Sequence, residues 1–220
     1  MEPDGRLRAP PARRQSVGDS MTTIARGRMA ARAVVAAAWL ASGCAPVVPD
    51  ITIRTPGAIA AVPDAVTVVI VQPTTRLRSV AIVDGRGQLV AQLNERAHTA
   101  VRLPEGPTVL YAVLENDAKT ADRLEGTLVA GRLYYATVGP RPGGVALLAL
   151  NPRSPERRWS HKDEYLRTTP RVQMDPQAVG RAVNELGDPA AIMQAGDAYV
   201  SKLDAAGLAE HTIQENDGLN

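Results

Sequence analysis

Residues 66–93 read VTVVIVQPTTRLRSVAIVDGRGQLVAQL. The opening VTVVIVQ (66–72) is a continuous β-branched run, which suits a strand buried on both faces. The second part, SVAIVDGRGQLVAQL (79–93), holds two apolar arms around Asp84-Gly85-Arg86-Gly87. Asp-Gly followed by a further glycine between apolar arms predicts a β-hairpin, because the turn needs positive φ where glycine is unstrained. In the second arm Leu89, Ala91 and Leu93 share one face, the period of two expected of a strand.

Working outward, further strands are expected at 99–103, 108–115, 126–130, 133–138 and 145–150. Turn chemistry separates them: Pro104-Glu105-Gly106-Pro107, Asn116-Asp117, Gly131, and Pro140 to Gly144. About seven or eight short strands at this spacing predict an antiparallel β-sandwich or open barrel over residues 65–150. Beyond Asn151 the apolar period changes to that of a helix. Ser154-Pro155-Glu156, Asp175-Pro176 and Asp188-Pro189 each combine a capping residue with a first-turn proline. Two or three helices over 151–210 are therefore expected to pack on the sheet as a helical appendage. Val179, Ala182, Val183 and Leu186 form one apolar stripe, and Ile192, Ala195, Tyr199 and Leu203 a second. Residues 211–220, HTIQENDGLN, read as a flexible tail. The fold class is thus mainly β with an α appendage.

Upstream, the chain changes character. Residues 44–64 hold Pro46, Pro49, Pro56 and Pro63 and read as a tether, with a short edge strand at Ile51–Arg54. Before it, Ala33–Gly43 is an uncharged run of eleven residues, short of the roughly 20 needed to span a bilayer. Arg26, Arg28 and Arg32 precede it and small residues close it, as in a secretory signal. Counted from Met21 the leader covers 21–43, within the usual length of about 15–30. Residues 1–20 are polar, Pro- and Arg-rich and without periodicity, a disordered extension or a start placed too far upstream.

Leu40-Ala41-Ser42-Gly43-Cys44 resembles the lipobox of bacterial lipoproteins. The family usually has leucine three places before the cysteine; here Ala41 stands there, with Leu40 one earlier. The resemblance implies that Leu40, Ala41, Ser42 and Gly43 are read by the signal peptidase and that Cys44 is lipidated. Two or more acyl chains give stable anchoring where one is marginal. In a bacterium with two membranes, Ala45 in place of the aspartate that marks inner-membrane retention implies an outer-membrane protein facing the periplasm. The middle region, VVIVQP (68–73), VDGRGQLVAQL (83–93), LPEGPTVLYAV (103–113) and VAGRLYYATV (129–138), resembles small envelope lipoprotein domains of the PEGA style. Its matching positions are turn glycines and strand residues, so it implies a β-sandwich rather than an activity.

Charge narrows the function further. Residues 1–43 carry seven arginines and three acids of the chain's 25 basic and 23 acidic residues, leaving 18 and 20, a net charge of about −2. That remainder offers no field for nucleic acid, which needs many phosphate-neutralising cations. Cys44 is the one cysteine, so neither a disulfide nor a cysteine metal cage can form within the chain. No HExxH, GxSxG, Walker or Cys-x-x-Cys motif occurs, and no cofactor or metal is expected. Gln214–Gly218 lacks the alternating ligands of a calcium loop and reads as a turn.

His98, His161 and His211 lie in separate segments, with His98 expected at the surface near Glu95 and Arg96, His161 on a solvated helix face and His211 in the tail. Tyr134 and Tyr135 should occupy opposite faces of one strand, and Trp159 with Tyr165 should clamp the first helix to the sheet. Tyr134, Tyr135 and Trp159 are the weak candidates for surface contacts. The expected function is a membrane-anchored, non-enzymatic envelope lipoprotein acting on a protein or cell-wall partner. Two alternatives stay open. An envelope hydrolase would need a pocket with a perturbed titratable pair, and a small-ligand carrier would need an apolar cavity in the sandwich.

Overall fold

The computed structural model describes residues 51–114 and 117–219. The extension, the leader, Leu40–Gly43, Cys44 and the tether up to Asp50 lie outside the described residues. Eleven strands are present: β1 (Thr52–Arg54), β2 (Val66–Gln72), β3 (Ser79–Asp84), β4 (Leu89–Asn94), β5 (Ala97–Leu103), β6 (Gly106–Leu114), β7 (Asp122–Leu128), β8 (Leu133–Arg141), β9 (Gly144–Ala149), β10 (Val172–Met174) and β11 (Thr212–Ile213). The helices are α1 (Glu156–Ser160), α2 (Lys162–Thr168), α3 (Val179–Glu185), α4 (Pro189–Val200) and α5 (Ala205–Glu210).

Two sheets face each other. One has the order β11-β7-β6-β3-β4 and the other β5-β2-β8-β9, while β1 and β10 form a separate two-stranded ribbon. Neither large sheet closes, so the architecture is a sandwich followed by helices. Between the sheets lie alternate residues of their inner faces, among them Val68, Ile70, Ile82, Leu93, Leu110, Leu124, Tyr134 and Leu147, all buried. Each such side chain contributes about 1.5–3 kcal/mol by leaving water. The second face of β2 is buried too, through Val69 and Val71, as its unbroken β-branched run predicts. The Asp84 hairpin forms with Gly87 at φ 78, and the Asp84 carboxylate accepts the Arg86 and Gln88 amides at 2.9 Å each.

Pairing departs from the antiparallel expectation at two places, β2 with β8 and β7 with β11, which run parallel. The cause is topological. After β2 the chain crosses to the other sheet, so its free edge is filled by a strand arriving from that sheet, with a direction set by the crossover. The five-stranded sheet is covered on its outer face by α4, where Ile192 meets Ala81, Val83, Tyr111 and Val113. Asp188 caps α4 on the Ala190 amide at 2.9 Å and Pro189 follows, as expected.

Four expectations require correction. Ser154 does not cap α1; its hydroxyl donates to the Ala149 carbonyl and closes the strand end instead. Val183 is 48 % exposed, because α3 presents only Ala182 and Leu186 to the core. The second apolar stripe does not extend to Leu203, because α4 ends at Val200, and the chain resumes as α5, which contains Gly207 and is capped by Asp204. Residues 211–219 are not a frayed tail. β11 adds to the five-stranded sheet, Leu219 exchanges backbone hydrogen bonds with Leu133, and Ile213 and Asp217 are buried. Pro46–Asn220 forms one compact unit, and its described residues contain both sheets and their core.

Candidate functional site

Strand pairing sets Arg102 beside Thr67, Ala100 beside Val69 and His98 beside Val71. The same pairing places Leu133 and Tyr135 on that face through β8. This is the outer face of the four-stranded sheet, and the segment 55–62 crosses it like a strap. The strap is held at the far side by Arg171. Its guanidinium donates to the Gly57 and Ala58 carbonyls at 3.3 and 3.2 Å, and its own carbonyl accepts the Thr55 amide. Gly57 has φ +100, a backbone that a residue with a Cβ adopts only under strain.

Two cavities lie along the strap. One of about 460 Å³ is lined by His98, Tyr135, Leu166, Arg171, Ile59 and Thr55, among others. The other, about 620 Å³, is lined by Arg102, Arg171, Gln173, Thr67, Ala100 and part of the strap. Ile59, Ala58 and Arg171 line both, so the two cavities adjoin at the strap and together make up the strap groove.

His98 is buried, not at the surface as its charged neighbours imply. Its Nδ1 lies 2.8 Å from the Thr169 hydroxyl, and that hydroxyl donates to the Tyr165 carbonyl at 2.7 Å. A hydroxyl has one proton, so Nδ1–H must be the donor to Thr169, which leaves the lone pair on Nε2. Burial lowers the His98 pKa, a hydrogen bond to the Thr169 backbone opposes that, and the Arg171 charge lowers it again. The ring is therefore neutral at pH 7. The groove combines a neutral imidazole, two guanidinium groups and an amide on one face. That set can hold an anionic or hydrogen-bond-accepting ligand. The hydroxyls among its lining residues are those of Thr55, Thr67 and Tyr135, and none of them has a hydrogen bond to His98 among the described residues.

The most buried titratable pair is elsewhere. Asp122, fully buried at the start of β7, accepts the Leu147 amide at 2.8 Å and His211 Nε2–H at 3.0 Å on one oxygen. Its other oxygen accepts the Arg123 amide at 2.8 Å. His211 Nδ1–H donates to the Gly207 carbonyl at 2.7 Å. Burial works against a charged imidazole, but the bonds to Asp122 and Gly207 and the nearby carboxylates outweigh it, and the pKa is raised. With both nitrogens donating, His211 has no lone pair to act as a base. The pair is a latch joining β7, β9 and the C-terminal segment.

The other candidates separate as follows. Tyr134 is fully buried and is not a surface contact. Its hydroxyl donates to the Glu215 carbonyl and accepts the Val129 amide, both at 3.0 Å. Tyr135 faces the opposite side, edge-on to Trp159 with centroids 6.5 Å apart and Lys162 over its ring at 4.8 Å. Trp159 and Tyr135 thus pack α1 on the sheet, and Tyr165 joins the same apolar cluster. His161 lies exposed at the junction of α1 and α2, not on a helix face, with its ring stacked on Tyr165. The groove itself was not visible in sequence, since His98 and Thr169 are 71 residues apart and no local pattern joins them. For His211, the alternation of His211, Thr212 and Ile213 after a helix was the available signal.

Among the described residues no group of three or more His, Cys, Asp or Glu could hold a metal ion, and no helix is long and apolar enough to cross a membrane. Comparison with protein-family models, with curated proteins and with solved structures finds no match to this chain.

Proposed function

We propose that this chain is a lipid-anchored protein of the bacterial cell envelope that acts by binding, through the groove under the strap, and not by catalysis. The anchoring half is carried by Leu40–Cys44, an arginine-flanked apolar run ending in the chain's one cysteine. The binding half is supported by the groove's contents, two arginines, a glutamine and a neutral histidine without an adjoining nucleophile–base pair. An anionic segment of an envelope protein or a cell-wall polymer is the partner such a groove fits. Placement on the outer membrane, facing the periplasm, follows from Ala45 if the organism has two membranes.

Labelling cells with radioactive palmitate tests the anchor. The wild-type chain should take up label and partition with detergent, and Cys44→Ser should accumulate as unlabelled precursor. Unchanged labelling and partitioning of Cys44→Ser would refute the anchor. The groove is tested by co-sedimentation with purified cell-wall sacculi and with envelope protein fractions, comparing wild type with Arg102→Ala. Arg102 is exposed and has no hydrogen-bond or ion-pair partner among the described residues, so its loss should weaken binding while leaving thermal stability unchanged.

A further inference from the structure

The arginines of the described residues divide into three groups. Arg123, Arg153, Arg158 and Arg181 meet carboxylates. Arg132, Arg141 and Arg171 donate to backbone carbonyls. The rest, Arg102 among them, do neither among the described residues, and three of these, Arg54, Arg78 and Arg96, line one cavity of about 420 Å³. They reach it from three separate places: β1, the loop before β3, and the turn between β4 and β5. Thr52 and Asn94 line the same cavity, and Glu95 is the one carboxylate among the lining residues. Asp175, which follows β10, is not among the lining residues, and its carboxylate accepts the Gln177 amide. Three cations against one carboxylate leave an excess of like charge, which is unfavourable in an isolated protein and is relieved when an anion is present.

The second observation is where the cavity sits. The Ile51 carbonyl accepts the Asp175 amide, so the start of the described chain is fixed on β10, and the cavity-lining Thr52 and Arg54 follow at once. Six residues separate Cys44 from Ile51, and the seven Cα–Cα steps between them span at most about 25 Å. Any anchor at Cys44 therefore holds this pole of the domain near the bilayer surface, where an anionic leaflet attracts basic groups.

We propose that the Arg54–Arg78–Arg96 cavity is a docking site for the phosphate of anionic lipid headgroups, seating the domain on the membrane to which Cys44 anchors it. The choice of a lipid headgroup over a free phosphate rests on the lipoprotein reading, because that reading brings this pole to the membrane. Seated this way, the domain has a defined orientation on the membrane.

Vesicle flotation of the chain from residue 44 onward, carrying Cys44→Ala so that no acyl chain contributes, tests the site apart from the anchor. Thermal melts first verify that each variant is folded. The protein should float with vesicles containing anionic phosphatidylglycerol and not with pure phosphatidylcholine. The combined variant Arg54→Gln, Arg78→Gln, Arg96→Gln should lose binding on the order of 50-fold, and 1 M salt should abolish it in the parent. Equal flotation with both vesicle types, or no loss in the triple variant, would overturn the proposal. Displacement by inorganic phosphate at the concentration of exposed headgroups would also overturn it, in favour of a free-phosphate site. The palmitate experiment reports on Cys44 alone. Label without flotation leaves the anchor and removes the site, whereas flotation without label leaves an anion-binding surface and removes the anchor.

Discussion

His98 and His211 are both buried, yet their surroundings push their proton affinities in opposite directions. Burial holds His98 below its ordinary value of 6.5, so the unfolded chain binds that proton more readily than the folded one. Its contribution to stability is complete above about pH 6.5 and is lost as the pH falls through the folded value. His211 has the reverse sign, because its bonds to Asp122 and Gly207 make the folded state hold the proton more tightly. Its contribution is complete below about pH 6.5 and is lost as the pH rises through the raised value. Thermal melts across pH 5 to 9 should then show a maximum, with His98→Gln flattening the acid limb and Asp122→Asn the alkaline limb. Asp122→Asn should also cost about 3–5 kcal/mol near neutrality, since it leaves a buried imidazolium without its partner. Glu95 offers an effect of opposite sign. It sits at φ 56 in the turn after β4, the left-handed region that costs a side chain about 1 kcal/mol. Glu95→Gly should raise stability by about 0.5–1 kcal/mol in urea unfolding, the strain released exceeding the entropy glycine adds to the unfolded chain.

At the level of elements, the strands and the first residues of α4 follow local rules, and the C-terminal segment follows contacts. β11 has only two residues, too few to hold by pairing alone, and it docks because β7 has a glycine where it arrives. A Cβ on Gly126 would lie 2.4 Å from the Ile213 carbonyl oxygen, and that oxygen belongs to backbone that cannot swing aside. Gly126→Ala should therefore displace β11 and cost about 2 kcal/mol or more. Hydrogen exchange should rise at 211–217 while β2 and β8 remain protected. The segment is also fixed through Asp217, whose carboxylate accepts from Asn151, from Arg153 and from the Gln214 amide. Asn151 and Arg153 lie 66 and 64 residues away in sequence, which explains why HTIQENDGLN looks like a polar tail when read alone.

For the molecule as a whole, the last residues complete the sandwich. They fill the edge of β7, reach β8 through Leu219 and supply the imidazole for Asp122. Ending the chain at Glu210 should leave Asp122 buried without a cation and Asn151 and Arg153 without their carboxylate. The expected cost is at least about 3 kcal/mol, read as a lower urea midpoint or loss of the cooperative transition. A tail that packed on nothing would leave the midpoint unchanged. The same scale explains the arrangement of surfaces. The strap groove and the arginine cavity both adjoin the β1–β10 ribbon, the first through Arg171 and Gln173, the second through Arg54 and Val172.

Much of this architecture was legible in the residues themselves. The β-branched run at 66–72 called for burial on both faces. Asp84-Gly85-Arg86-Gly87 called for a hairpin, Asp188-Pro189 for a helix start, and Tyr134-Tyr135 for one ring on each side of a strand. Each of these is set by backbone sterics and by a period of two or 3.6 residues, interactions that act within a few positions. Tertiary structure alone decided the parallel pairing of β2 with β8, the neutral His98 on Thr169, the Asp122–His211 latch and the convergence of Arg54, Arg78 and Arg96. Those depend on groups up to 89 residues apart. Burial and charge act through space, and only the folded chain determines which distant side chains share the same few cubic ångströms.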